Sequence, residues 1–411
     1  MSYQQETNFI HQGADPDPST GATQPPIYQT ASFAHDDPQQ LEDVFNGKAF
    51  GYYYSRVSNP TIDALEKRIT GIEQAIGSVV VSSGMAAIAN TVLSLATSGD
   101  TIVVGKSLFG STYYLFEGLI EDSGITVKFV DSANLVEFEK AIDDKTKLIF
   151  VEAIGNPKLD IPDLKKLSDI ANKQGIPLVV DSTFATPYLL DAKSCGVHIL
   201  VYATTKYIAG SGSTIGGVIV DTGLMNWKSY QTKKIQEASK QYGQFAFLSV
   251  AKKVRSNAGS SQSPFNAYLT SLGIDTLALR VKQQVANATA LASFFEEQAA
   301  IKVNYPGLTS HPQHNLAKQQ LKGFGTIITL RLGSKEKAFK VLKKLKLVHN
   351  LVNLGDAKTV AVYPATTIYR NLTEKQREEA GVYPDLIRIS VGLEHPSDII
   401  ADFKQALEGL S

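Results

Sequence analysis

Ile199-Leu200-Val201-Tyr202-Ala203-Thr204-Thr205-Lys206-Tyr207-Ile208-Ala209-Gly210 is an apolar strand that runs straight into Thr-Thr-Lys. Most lysines are solvated. One that follows an apolar strand and precedes Tyr-Ile points inward, where loss of water lowers an amine pKa and makes it a nucleophile toward carbonyls. Upstream, Ile176-Pro177-Leu178-Val179-Val180-Asp181 is a second buried strand, and it delivers a carboxylate at its C-terminal end. Open α/β sheets place their ligands at that edge. Further upstream, Val79-Val80-Val81-Ser82-Ser83-Gly84-Met85-Ala86-Ala87-Ile88-Ala89-Asn90 is a strand, a small-residue turn and the start of a helix. Free N–H groups and the positive end of the helix dipole suit a phosphate there, though an ordinary tight turn has the same signature.

These stretches belong to a longer alternation. Short apolar runs at Val79–Val81, Thr101–Val104, Leu148–Val151, Leu178–Val180, Ile199–Val201 and Val218–Val220 are separated by longer helix-like segments. Such alternation predicts an α/β domain with a mainly parallel sheet covered on both faces. Residues 1–60, rich in Pro, Gln, Thr and Tyr with no sustained period, read as an extended arm lying over something else. The large domain is placed at 61–262 and a smaller α+β domain at 263–411. Between Asp221 and Arg255 the apolar pattern thins, which predicts a surface excursion; a long helix near 264–299 then links the domains. Strands are expected at Thr326–Leu330 and Leu386–Ser390, and a closing helix at Asp398–Phe403.

Composition narrows the partners. With 411 residues and 43% hydrophobic content the chain buries a large core. Forty basic residues balance forty acidic ones, so no overall field favours nucleic acid or an anionic membrane, and a small molecule is the expected partner. The first residues lack the basic-then-apolar order of a signal peptide, and no run reaches roughly 18 apolar residues, so a soluble, cytoplasmic protein is expected. The single cysteine, Cys195, has no disulfide or CxxC partner and reads as a packed side chain; no metal site is expected.

Other residues have two readings each. Asp181 suits a protonated pyridine nitrogen, which it would keep an effective electron sink, but an N-cap or a metal ligand fits the strand equally. Tyr113, in Leu108-Phe109-Gly110-Ser111-Thr112-Tyr113, either stacks on a flat ring or packs in the core. Tyr54-Ser55-Arg56, in the arm, either caps a phosphate on a neighbouring subunit or is a solvated loop. Arg388, inside Leu386-Ile387-Arg388-Ile389-Ser390-Val391-Gly392, either faces outward or faces inward and needs a carboxylate.

With those residues in view, the chain resembles the Cys/Met-metabolism pyridoxal-phosphate enzymes over nearly its whole length. The matching stretches are Gly21–Thr30, Tyr54–Thr61, Ser82–Ala87, Val180–Phe184, Thr205-Lys206-Tyr207, Ser263–Ala267 and Ile389–Glu394. The resemblance implies the fold-type-I, aspartate-aminotransferase-like architecture, with active sites between paired subunits and two dimers forming a tetramer. It implies that Lys206 holds pyridoxal 5′-phosphate as a Schiff base, Asp181 pairs with the pyridine nitrogen and Tyr113 stacks on the ring. The Gly84 and Met85 amides and Thr205 would hold the phosphate, joined by Tyr54 and Arg56 of the other subunit, with Thr183 also against the cofactor. Arg388 would bind the substrate carboxylate, with Asn156 and Asn353 beside it. Three positions depart from the pattern: Ala203 stands where a phosphate-binding serine is usual, Ser211 where a histidine is frequent and His198 where an aspartate is common.

Within that family, Leu351-Val352-Asn353-Leu354-Gly355-Asp356-Ala357-Lys358-Thr359 resembles the sulfhydrylase form of a segment that lyases and cystathionine synthases write Ser-Leu-Gly-Gly. Tyr363–Thr367, Glu374–Val382 and the length between Asp221 and Arg255 agree. Methionine γ-lyases carry a cysteine near the stacking tyrosine, where this chain reads Gly110-Ser111-Thr112. The reaction implied is γ-replacement on O-acetyl-L-homoserine by sulfide or a small thiol, with Lys206 moving protons and the Tyr113 phenol assisting. Cystathionine γ-synthase is the second reading, a γ-lyase the third, and a catalytically silent relative that binds a partner the reading from another class.

Overall fold

Strands this short and apolar hide neither face alone, and in the computed structural model, which describes residues 3–409, they gather into one sheet. Its members are β1 (Gly77–Val81), β2 (Thr101–Gly105), β3 (Thr126–Val130), β4 (Thr146–Glu152), β5 (Leu178–Asp181), β6 (Ile199–Tyr202) and β7 (Gly217–Asp221). They lie in the order β1-β7-β6-β5-β4-β2-β3. Only β7 runs against its neighbours. The four pairs from β6 to β3 are parallel. Alternate side chains feed two separate cores: Val79, Val81, Leu148 and Phe150 enter one, Val80, Ile149 and Val151 the other. Both faces are therefore covered, as the near-continuous apolar runs require.

A second sheet follows, with β8 (Lys302–Asn304), β9 (Ile327–Arg331), β10 (His349–Asn350), β11 (Val360–Val362) and β12 (Leu386–Ser390) in the order β10-β11-β12-β9-β8. Ile328, Leu330, Ile387 and Ile389 pack with Leu291, Phe295, Ile399 and Phe403 into a third core, so helices from both ends of this region cover the sheet. The closing helix is Pro396–Leu407.

The structure corrects three expectations. The helix near 264–299 is two helices, Pro264–Asp275 and Leu277–Glu296, broken at Thr276 (φ −109°, ψ 5°). Arg280 makes the break tolerable: its Nη2 donates to the freed Gly273 carbonyl at 2.6 Å and its Nη1 to the Tyr207 carbonyl at 2.7 Å. The same guanidinium thus anchors the turn that follows Lys206. The span 221–255 is not merely a surface excursion. Trp227 is buried, stacks on Phe247 at 5.0 Å and donates its indole N–H to Asp221 Oδ2 at 2.7 Å. The hydroxyl of Tyr230 reaches the carbonyls of Leu95 and Lys147 at 3.1 and 2.9 Å. Trp227 and Tyr230 join Ile235 and the buried face of the helix Ala246–Ala258, Phe247, Leu248 and Ala251, in holding this region down. Finally, the arm contains two helices, Gln5–His11 and Pro38–Phe45. The first buries Phe9, whereas beyond it Phe45, Phe50 and Tyr54 are 66%, 85% and 42% exposed.

Candidate active site

A cavity of about 280 Å³ opens between the two sheets. The large sheet contributes the residues just past its strand ends: Ser83, Gly84 and Met85 after β1, Glu152 at the end of β4, Asp181 at the end of β5, and Ala203, Thr205 and Lys206 after β6. From the small-sheet side come Val352, Asn353, Leu354, Ile368 and Arg388. Loops meet at the carboxyl edge of a parallel sheet, so residues far apart in sequence converge there.

At one end, Ser83 caps the helix Gly84–Leu95 by accepting from Ala86 N–H at 3.1 Å, which leaves its own hydroxyl proton free to donate. Among the described residues the amides of Gly84 and Met85 meet no acceptor. A Cβ on Gly84 would stand 2.6 Å from the Ala203 Cβ, and one on Gly217 would collide with the Ser83 carbonyl, so only glycines let this turn close. Thr205 Oγ1 accepts from Gly216 N–H at 3.0 Å and donates to the Gly216 carbonyl at 3.3 Å. Donors at a helix N-terminus with no acceptor of their own suit an anion. Ala203 contributes no hydroxyl; its N–H donates to Thr183 Oγ1 at 2.9 Å.

Asp181 opens only onto the cavity. One carboxylate oxygen accepts from Thr183 N–H at 2.9 Å, and burial lifts its pKa to about 6. Glu152 lies beside it in register on β4 and was not singled out from the sequence, although it ends an apolar strand just as Asp181 does. Its two oxygens accept from Phe109 N–H at 2.6 Å and Asn156 N–H at 3.1 Å. Burial first, and then the charge on Asp181, push its carboxyl well above the usual range.

Lys206 donates its Nζ to Asn353 Oδ1 at 2.8 Å. Burial, with a smaller push from the Arg388 charge, lowers its pKa to about 8, so a useful fraction is neutral near physiological pH. Arg388 faces inward and is 2% exposed. Its Nη1 donates to Asn156 Oδ1 at 3.3 Å and its Nη2 to the Asn353 carbonyl at 3.1 Å, while its Nε meets no partner. Among the described residues no carboxylate pairs with it. A buried guanidinium in that state calls for an anionic ligand.

Tyr113 is not on the cavity wall. The aromatic that lines the cavity is Phe109, which precedes the helix Gly110–Leu115. One turn further on, Tyr113 stacks on Phe129 at 4.7 Å, and its hydroxyl accepts from Gln376 at 3.2 Å. Tyr54 and Arg56 do not line the cavity of their own chain either; Arg56 donates to the Ser256 carbonyl at 2.7 Å and lies 5.2 Å from the Tyr54 ring. The other departures sit off the cavity wall. Ser211 pairs with Ser213 on the surface. Buried His198, held neutral with its pKa lowered to about 4, accepts from Leu178 N–H at 3.0 Å and ties β6 to β5.

A helix N-terminus with free donors, a buried carboxylate, an inward lysine and an arginine with no carboxylate partner around one cavity agree with a direct sequence match. The profile of the Cys/Met metabolism PLP-dependent enzymes covers residues 6–408. The chain belongs to that family. It is 39% identical to homocysteine synthase of Schizosaccharomyces pombe over 98% of both chains. It is 36% identical to O-acetyl-L-homoserine sulfhydrylase of Leptospira meyeri, covering 100% of this chain and 98% of the other. In three dimensions it resembles a putative O-acetylhomoserine (thiol)-lyase of Campylobacter jejuni, solved with N′-pyridoxyl-lysine-5′-monophosphate, at a TM-score of 0.92 and 32% identity, covering 99% and 100%. The fold is that of the fold-type-I PLP-dependent enzymes.

The residues present fit pyridoxal 5′-phosphate. The donors at Ser83, Gly84 and Met85, with Thr205 lining the cavity beside them, match a phosphate, Asp181 matches a ring N–H, Phe109 offers a ring face, and Lys206 offers an amine. The expected stacking partner is the exception, since Phe109 occupies the position that Tyr113 was read to hold. Phe109 lies in the same Leu108–Tyr113 stretch, but a phenylalanine there carries no polar atom that would set it apart from core packing.

Proposed function

We propose that the protein catalyses γ-replacement on O-acetyl-L-homoserine, sulfide or a small thiol displacing acetate to give homocysteine or methionine. The observation that carries this reading is the place of the segment Leu351–Thr359: the residues that resemble the sulfhydrylase form, Val352, Asn353 and Leu354, form one wall of the cavity. The names borne by the relatives above support it.

Arg388 takes the substrate carboxylate, using its free Nε and an Nη, with Asn156 alongside. Asp181 would pair with the ring nitrogen of bound pyridoxal phosphate, and Glu152 keeps Phe109 and Asn156 in place. When bound, pyridoxal phosphate supplies the electron sink that lets protons leave Cα and Cβ. Lys206, once free, carries those protons; acetate departs from Cγ with the C–O electron pair, and sulfide forms the new bond at the same carbon. Ile154, Phe184, Leu354 and Ile368 keep water from the reacting carbons. Tyr113 has no part in these steps, because its hydroxyl faces Gln376.

The assembly belongs to the same proposal. The exposed aromatics of residues 1–60 cover a neighbouring subunit, Tyr54 and Arg56 reach that subunit's phosphate cradle, and two such dimers pair in the cytoplasm. The large domain is 61–262 and the small one 263–411. Among the described residues no helix is long and apolar enough to cross a membrane.

The test is to supply purified holoenzyme with O-acetyl-L-homoserine and, in separate reactions, sulfide, methanethiol, cysteine or no nucleophile, and to identify the products. Homocysteine or methionine with stoichiometric acetate is expected. Cystathionine as the main product would overturn the reading in favour of a cystathionine γ-synthase, and release of ammonia from O-acetyl-L-homoserine in the reaction without nucleophile would favour a lyase.

A further inference from the structure

Lys206 must let go of the cofactor each time a substrate amine takes its place, and the released amine then needs a neighbour that keeps it aimed at the reacting carbons. Nζ has one acceptor in the structure, Asn353 Oδ1 at 2.8 Å. The loop that carries Asn353 is fixed against the lysine turn. A Cβ on Gly355, whose φ is +67°, would lie 2.7 Å from Tyr207 N, so only glycine lets the two backbones meet so closely. Gly355 N–H donates to Ser390 Oγ at 2.9 Å, and Gln284 Nε2 to the Asp356 carbonyl at 2.7 Å. The Asn353 carbonyl meanwhile accepts from Arg388 Nη2 at 3.1 Å. One residue therefore touches both the proton carrier, through its side chain, and the carboxylate receptor, through its main chain.

We infer that Asn353 is a positioning residue for Lys206, its amide oxygen receiving the lysine amine whenever that amine is free, and that it is not itself a ligand of the substrate carboxylate. This rests on the proposed γ-replacement only in that both need a free Lys206. The chemistry of the acceptor matters. An amide oxygen is neutral, so it orients the amine without adding the charge by which a carboxylate would hold it as ammonium. The Arg388 charge works in the same direction as the burial that lowers the lysine pKa to about 8.

The experiment uses wild-type, Asn353→Ala and Asn353→Asp holoenzymes with L-alanine, which has no γ leaving group, so its result does not depend on which γ-substrate the enzyme takes. Exchange of the Cα proton with deuterated solvent is measured at saturation by NMR, and L-alanine affinity by the change in visible absorbance. In Asn353→Ala the saturated exchange rate is expected to fall about tenfold while affinity changes by less than about threefold. In Asn353→Asp the reactivity of Lys206 toward an acylating reagent, followed in the cofactor-free protein against pH, is expected to shift upward by about one pH unit or more. Affinity for L-alanine lost about tenfold with an unchanged exchange rate would make Asn353 a substrate ligand and overturn the inference. An unchanged Lys206 reactivity profile in Asn353→Asp would overturn it independently, even if the alanine variant were impaired through misfolding. Failure to form homocysteine from O-acetylhomoserine, with these shifts present, would sink the proposed function and leave the role of Asn353 standing.

Discussion

Asp181 and Arg388 are both charged, both enclosed and both turned into the same cavity, yet the two sheets hold them in different ways. Asp181 is the last residue of β5, and the turn that follows supplies a main-chain N–H to its carboxylate. Arg388 is the third of five residues in β12, between Ile387 and Ile389 of the small-sheet core, and its Nε has no partner. A carboxylate at a parallel strand end is partly satisfied by the fold itself. A guanidinium in mid-strand with two neutral acceptors, a free Nε and no carboxylate keeps an uncompensated charge until an anion arrives. The difference teaches which end of the site the protein completes alone and which end it leaves for substrate.

Replacing Arg388 should give the largest effect. In Arg388→Met, which keeps an unbranched apolar stem and removes the guanidinium, kcat/KM for the amino-acid substrate is expected to fall about 100- to 1,000-fold. Visible absorbance should show the cofactor retained. Thermal unfolding of the cofactor-free protein should show no loss of stability, and a gain of about 1 kcal/mol is expected from removing an uncompensated buried charge. A variant that loses stability while keeping its substrate affinity would show that Arg388 is structural, and the contrast between the two sheets would fail.

Asp181→Asn should sharpen the contrast from the other side, by weakening cofactor rather than substrate. Activity is expected to drop about 100-fold, with weaker retention of pyridoxal phosphate but near-normal binding of a substrate carboxylate. The pH dependence follows from a carboxyl whose folded pKa, about 6, lies above its ordinary value of 3.8. Its contribution to stability is complete below the ordinary value and is lost as pH rises through about 6, because burial disfavours the charged form. In the cofactor-free state the asparagine variant should therefore gain on the wild type as pH is raised through that window. Cofactor affinity runs the opposite way, since the ring nitrogen needs an ionised partner: it should decline in the wild type below about pH 6 and be flatter in the variant. Urea unfolding and cofactor titration at several pH values measure both slopes.

The same contrast explains what was legible in the sequence. The central strands of the large sheet are buried on both faces, so each is a run of Val, Ile and Leu with a functional group at its end, and the pattern reads directly as fold and edge. Edge strand β3, Thr126-Val127-Lys128-Phe129-Val130, pairs only with β2 and alternates polar with apolar, so it escapes that reading. Strands β8, β10 and β11 have two or three residues each, too few to show a period. The break at Thr276 was hidden because the side chain that steadies it, Arg280, lies in the next helix. Glu152 carried the Asp181 signature and was passed over, because nothing in one strand says which of two carboxylates the cofactor meets. Arg388 had an inward and an outward reading until the packing of β12 between β11 and β9 fixed its side.

The smallest effect should come from the residue whose expected place the structure moves. If the ring face is supplied by Phe109, removing the Tyr113 hydroxyl costs one half-buried hydrogen bond to Gln376 and nothing at the cofactor. Tyr113→Phe is thus expected to keep kcat within about threefold of wild type, the lost bond showing only as a slight drop in stability. Phe109→Ala should instead weaken cofactor affinity about tenfold, by taking away an aromatic wall. Phe109 is also one of the two N–H donors that face Glu152, and alanine keeps that N–H, so the side-chain effect is isolated from the main-chain one. Cofactor titration of the two variants in parallel decides the matter. A large loss in Tyr113→Phe beside a mild one in Phe109→Ala would return the phenol to the cofactor and show that the helix Gly110–Leu115 turns when the cofactor binds.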